Sequence, residues 1–245
     1  MKNFLIGLAL AAHVMSAAFA QISKKEGLAL TQALQTLAAK GHAEAEYHLG
    51  MHYNNGIGVE KDPARAYESF EKAAALGDPL AAYKLGCYAA GQFPEVIATP
   101  NKARALEQKL IAAKAGYALA QLDVAAIYLQ DGNHAEGLLW LQQAADQGDA
   151  KALFNLSVGH VQGLWVNADK AMGYVYFKLA KLVADGSINP RAQASLADLG
   201  KQVSAEDLAR AEDFVLAWRA QPSALTRRAN AGMAAAQALA KGAAG

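Results

Sequence analysis

Residues 48–70 read HLGMHYNNGIGVEKDPARAYESF, and three features in them invite different chemistry. Gly56-Ile57-Gly58 has the spacing of a phosphate-cradling loop, His48 and His52 stand one helical turn apart like metal ligands, and Lys61-Asp62-Pro63 marks a break. A dinucleotide fingerprint needs a preceding strand and a third glycine at position 61, where Lys61 stands. Asp62-Pro63 instead has the form of a helix N-cap followed by proline at the first helical position, where a missing N–H is harmless. The two glycines then allow the positive-φ backbone of a tight helix-to-helix joint.

The sequence around this joint recurs. GHAEAEYHLGMHY from residue 41, GDPLAAYKLGCYA from 77, GYALAQLDVAAIY from 116 and GDAKALFNLSVGH from 148 start 36, 39 and 32 residues apart. In this register Ala45, Ala81, Ala120 and Ala152 coincide, as do the large apolar residues Tyr47, Tyr83, Leu122 and Phe154. Leu49, Leu85, Val124 and Leu156 follow, each with a small neighbour (Gly50, Gly86, Ala125, Ser157) that lets a second helix approach. A second amphipathic segment closes each unit with Ala73-Ala74, Ala112-Ala113, Ala144-Ala145 and Ala180.

Each unit therefore reads as helix A (about 43–54, 79–90, 118–130, 150–162) followed by helix B (about 63–76, 101–115, 134–147, 169–185). Asp169 takes the place of Asp62 in the fourth unit, and Thr99-Pro100 is expected to start helix B of the second. Repeats are bounded at 41–76, 77–115, 116–147 and 148–186, with caps over 22–40 and 187–220 that close the exposed apolar ends of the array. Ser204 and Asp207 form the start signal of the last capping helix. The Ala/Gly-rich tail, 221–245, has little to bury, and its end is expected to be frayed or disordered.

The bulk properties bound the function. The chain has 245 residues, and its first twenty carry Lys2, the apolar run FLIGLALAAHVM and the small-x-small ending Ala18-Phe19-Ala20. This pattern predicts a cleaved signal peptide over 1–20, and a periplasmic or secreted protein with no membrane span after cleavage. Removing Lys2 reduces the 23 basic residues to 22, matched by 22 acidic ones. With no basic stripe, the composition argues against nucleic-acid binding and against an anionic membrane surface. Cys87, the single cysteine, falls on an apolar column and is expected to be buried.

The stretch AEAEYHLGMHYNNGIGVEKDPARAYESFEKAAALGD resembles a Sel-1-like repeat, a relative of the tetratricopeptide repeat. Residues 43–78 follow nearly the whole pattern, with Ser69-Phe70 where tryptophan and an aromatic residue are usual. Trp140 restores the tryptophan in the third unit, and Trp165 replaces the second loop glycine in the fourth. The resemblance spans about 30–219 and implies an all-α, right-handed α/α superhelix (a Sel-1-like or TPR-like solenoid) of four helix pairs between capping helices. It implies a protein-interaction adaptor on a concave face: a periplasmic regulator, an envelope-assembly factor or an effector-neutralising partner. One cysteine-rich branch of the family has β-lactamase activity and closes each repeat with a disulfide; Cys87 alone offers none.

Candidate chemistry is sparse. Glu44, His48 and His52 share one helix face and are the candidate metal set, although His48 aligns with Lys84, Asp123 and Asn155, a column of unlike polar residues. Such a column is expected to face solvent, and it suits variable partner contacts better than a repeated metal site. The concave-face candidates are therefore His48, His52, Lys84, Tyr88, Asp123 and Asn155; Trp140, Trp165 and Trp218 are expected to fill the core, with Trp165, in a loop, kept as a possible contact. His160 replaces the aromatic Tyr53 and Tyr128 of its column and is expected to pack rather than catalyse. There is no Gly-x-Ser-x-Gly nucleophile elbow. The expected protein is a monomeric, non-catalytic module that binds another protein and needs no cofactor. The rival is a penicillin-recognising envelope hydrolase.

Overall fold

The computed structural model describes residues 23–184 and 190–243. The expected export signal, 1–20, lies outside the described residues. Every regular element among those described is a helix, and together they form an all-α, superhelical repeat fold. A leading helix α1 (Lys24–Ala38) precedes four A/B pairs. These are α2 (Ala43–Asn55) with α3 (Pro63–Ala75), α4 (Pro79–Ala89) with α5 (Lys102–Lys114), α6 (Ala118–Gln130) with α7 (His134–Asp146), and α8 (Ala150–Gln162) with α9 (Lys170–Val183). Then come α10 (Pro190–Gly200), α11 (Ala205–Ala217), α12 (Ala224–Ala231) and α13 (Met233–Gly242). The described residues divide into two compact units: 23–105 with 228–243, and those between 106 and 227.

In unit 1 the joint at Gly56-Ile57-Gly58 shows why both glycines are needed. Gly56, at φ 73°, ends α2 in the left-handed region, and its N–H donates to the His52 carbonyl. Gly58, at φ 69°, lies against α1: a Cβ there would sit 2.0 Å from the Gly27 carbonyl carbon. Only bare backbone fits, so the phosphate-loop spacing is a packing device between a loop and a capping helix. Ser23 and Glu26 form a reciprocal capping box at the start of α1, which holds its register over the joint. Asp62 caps α3 by accepting from the Arg65 N–H at 3.0 Å, with Pro63 in the first turn as the sequence predicts.

The repeat columns are the core. Ala45, Ala81, Ala120 and Ala152 are all fully buried, and Leu49, Leu85, Val124 and Leu156 are buried beside them. The small position works by contact: a Cβ on Gly50 would come within 2.6 Å of the Phe70 ring, so α3 presses its aromatic directly onto α2. Ser157 Oγ donates to the Gly173 carbonyl at 2.7 Å, the polar version of the same close approach between α8 and α9. Cys87 is buried, as expected.

In unit 2, Leu122, Leu141, Leu153, Leu156, Val175 and Leu179 form one core that α11 extends with Ala211 and Val215. Trp165 fills the joint of the fourth pair, as the core reading of the three tryptophans expects, and does not stand free as a contact residue. It lies against Gly159, where a Cβ would be 3.1 Å from its ring, and packs on the core with Trp140 and Trp218. His160 stacks on Tyr176 with ring centroids 5.5 Å apart, a packing role as expected.

Two expectations are corrected. Helix α5 begins later than Thr99-Pro100, because Asn101 supplies the cap and accepts from the Arg104 N–H at 2.9 Å. Over its described residues, 221–243, the tail is ordered: α12 and α13 are helical, and Thr226, Met233 and Ala236 are buried. Its few anchoring side chains find partners far away in sequence, a pairing that composition does not reveal.

Candidate functional site

The A helices carry the predicted contact column, and its residues divide by burial. His48 is 4% exposed and His52 1% exposed, so neither faces solvent. His48 Nε2 lies 3.5 Å from Glu44 Oε1 one turn earlier on α2. That contact with His48 is the largest influence holding the Glu44 carboxyl below its ordinary range. His52 turns toward α1, where its Nδ1 is 2.7 Å from Thr31 Oγ1. The Thr31 hydroxyl also lies 2.9 Å from the Gly27 carbonyl and 3.2 Å from that of Ile57. Burial, reinforced by nearby His48, pushes the His52 imidazole down to about 4. The two histidines thus point to different neighbours, and no group of three His, Cys, Asp or Glu among the described residues is placed to hold a metal ion. The zinc reading of Glu44, His48 and His52 is withdrawn on that geometry.

Tyr88 is fully buried and is withdrawn as a contact residue. Its hydroxyl donates to the Pro63 carbonyl at 3.0 Å, and its ring stacks on Phe93 at 4.4 Å, tying α4 to α3 and to the loop beyond it. The longer loop of the second repeat therefore supplies an aromatic lid for Tyr88. Lys84 is half-buried, and desolvation pushes its ammonium below the ordinary lysine range.

In unit 2 the same register is open. Asp123 on α6 is half-buried and accepts from Lys109 Nζ at 2.6 Å. Asn155 on α8 occupies the matching position, also half-buried. One turn earlier the pair is Leu119 and Lys151; one turn later it is Ala126 and Val158, then Gln130 and Gln162. None of these eight residues is buried. Residues at i, i+4, i+7 and i+11 share a helix face, so α6 and α8 each present one varied, partly exposed stripe. Sequence reasoning named Asp123 and Asn155 but missed the rest of both stripes, although the repeat register contains them.

Sequence reasoning also missed a polar cluster at the start of α6. Asp78 caps α4 by accepting from the Leu80 and Ala81 N–H groups, and Asp149 caps α8 through Lys151 and Ala152. Tyr117 stands at the same place before α6 and makes no side-chain cap. The acceptor comes from the tail instead: Thr226 Oγ1 takes the Ala118 N–H at 3.0 Å. Thr226 also bonds Gln147, and Ser223 Oγ donates to the Gly116 carbonyl at 2.7 Å. The missing aspartate at 117 was the available signal.

A hydrolase site is not assembled from the one Ser-x-x-Lys spacing in the chain, Ser69 to Lys72 on α3. Ser69 is buried while Lys72 is exposed, whereas a lysine that activates serine must be held against its hydroxyl.

Comparison with known proteins agrees with this architecture. The Sel1 repeat model matches residues 43–78, 79–107, 118–149 and 150–182. Among curated proteins, chitin synthase regulatory factor 3 of Schizosaccharomyces pombe is 31% identical over 142 residues. That alignment covers 54% of this chain and 15% of the fission-yeast protein, so the chain spans only a small part of that relative's length. Among solved structures, a Sel1 repeat protein from Oxalobacter formigenes matches with a TM-score of 0.58 at 24% identity, over 76% of this chain and 84% of that one. This second likeness shows the fold alone.

Proposed function

The chain belongs to the Sel1 repeat family, whose repeats are protein-interaction modules, and from that premise we propose that it is an exported, non-catalytic adaptor. Its partner protein docks on the stripes of α6 and α8, through Asp123, Asn155 and their neighbours. One observation carries this reading. Unit 2 holds its packing columns fixed while leaving the register-equivalent face of each A helix only partly buried, with different chemistry at each level: Leu119 where the next repeat has Lys151, Asp123 where it has Asn155, Ala126 where it has Val158. Helix-repeat proteins use such faces to recognise other proteins. The apolar run and small-x-small ending before Gln21 support export and a place in the bacterial envelope or outside the cell. Regulation, assembly and effector neutralisation are all compatible with a module that acts by occupying a surface.

The test is capture from an envelope extract with the mature chain and with a double variant, Asp123→Ala and Asn155→Ala. A single protein enriched by the parent and lost by an equally helical variant supports the reading. Equal capture by both would remove the site from these stripes. Nitrocefin is included as a readout, and turnover above the buffer rate would overturn the non-catalytic assignment.

A further inference from the structure

Unit 1 is completed by residues that come last in the sequence. Arg228, on α12, donates from Nη2 to Asp78 Oδ2 at 2.7 Å, and the Asp78 side chain is 1% exposed. Its Nη1 lies 4.0 Å from Glu44 Oε2, and its guanidinium carbon lies 5.8 Å from the centre of the Tyr47 ring. Two carboxylates and an aromatic ring around one guanidinium form a receptor for a planar cation. Helix α13 follows and packs on α1 and α2, fully burying Met233 and Ala236 and half-burying Ala235, Leu239 and Ala240.

The geometry points to the Glu44–Tyr47–Asp78 face of unit 1 as a docking site for an arginine-bearing helix of a partner protein, shut in this structure by the chain's own residues 228–243. Three observations support displacement. The segment is separated in sequence from the rest of unit 1 by residues 106–227, so its release leaves α1–α4 in their own order. Its fully buried apolar contribution is small, one methionine and one alanine beside the half-buried Ala235, Leu239 and Ala240, so a longer apolar helix carrying the same arginine outcompetes it. The fit is incomplete, since Arg228 Nε is buried without a hydrogen-bond partner. The partner chemistry follows from the occupant: an arginine, with small or flexible apolar side chains five and eight residues later, as Met233 and Ala236 follow Arg228. This inference goes beyond the reading of α6 and α8, and either can fail alone.

The experiment titrates a fluorescent synthetic peptide of residues 221–243 against three full chains: the parent, Arg228→Ala, and Arg228→Ala combined with Asp78→Asn. Asparagine keeps the cap acceptor and removes only the charge. The peptide is expected to bind the Arg228→Ala chain about tenfold more tightly than the parent, where the internal segment competes. Adding Asp78→Asn is expected to reverse at least that tenfold gain. Equal binding by all three helical chains, or binding by none, overturns the proposal. A concentration-dependent dimer of the Arg228→Ala chain that excludes the peptide also overturns it, by making a second copy the occupant. Should Arg228→Ala lose helix content, Arg228→Lys carries the same comparison, keeping the charge without the planar fork.

Discussion

Units 1 and 2 share one register, yet the same column is partly shut in the first and open in the second. On α2 and α4 the three levels are Glu44 with Leu80, His48 with Lys84, and Met51 with Cys87; Leu80, His48 and Cys87 are buried. On α6 and α8 they are Leu119 with Lys151, Asp123 with Asn155, and Ala126 with Val158, and none is buried. The packing columns do not differ in this way, since their alanines are buried throughout. Repetition therefore dictates how helices pack, while segments that do not repeat dictate what covers a face. In unit 1 the non-repeating residues 228–243 reach Glu44 of this column and Asp78 outside it, and α1 receives His52, also outside it.

The joints give the largest expected contrast. Gly58→Ala places a Cβ inside the α1 backbone at a positive φ, and should cost about 3–5 kcal/mol by urea unfolding. At Gly163, the glycine that ends α8, the nearest atom to an added Cβ is 3.3 Å away on the Ala168 side chain. There the same change should cost about 1–2 kcal/mol, the left-handed penalty alone. Equal costs would mean that α1 does not seat on the first joint.

The caps come next. Asp78→Ala removes both a cap and the partner of Arg228, for an expected loss of about 2–4 kcal/mol. Asp149→Ala removes a cap only and should lose about 1 kcal/mol. Similar losses at both positions would deny the tail its hold on unit 1.

Acid gives a smaller, graded contrast. The His52 pKa is depressed in the folded chain to about 4, so its contribution to stability is complete above the ordinary value near 6.5 and is lost as pH falls toward 4. Over that window the parent should lose about 1.4 kcal/mol per pH unit relative to His52→Leu. Parallel pH profiles for parent and variant would show that His52 is not buried neutral.

The fold was legible because it rests on volume at fixed spacing. Ala45, Ala81, Ala120 and Ala152 announce close helix approach wherever they occur, and Asp62-Pro63 announces a helix start. The site was only half legible. Register placed His48, Lys84, Asp123 and Asn155 in one column, but it carries no information about what lies over that column. His52 was misread because its neighbour Thr31 belongs to a half-repeat 21 residues earlier. The tail was misread because Ala/Gly composition hides its anchors: Arg228 meets Asp78 across 150 residues, and Ser223 meets Gly116 across 107. Such long-range polar pairs leave no periodic trace in the sequence.

The most direct test of the difference between the two units is thiol labelling at equivalent positions. His48→Cys and Asn155→Cys would be made separately, with the parent as control for buried Cys87, and each native chain's maleimide reaction rate compared with its rate in urea. The expected native rate at position 155 is within about tenfold of the unfolded rate, and at position 48 at least about a hundredfold below it. Equal protection at both positions would contradict the account, because the column would then be covered alike in both units.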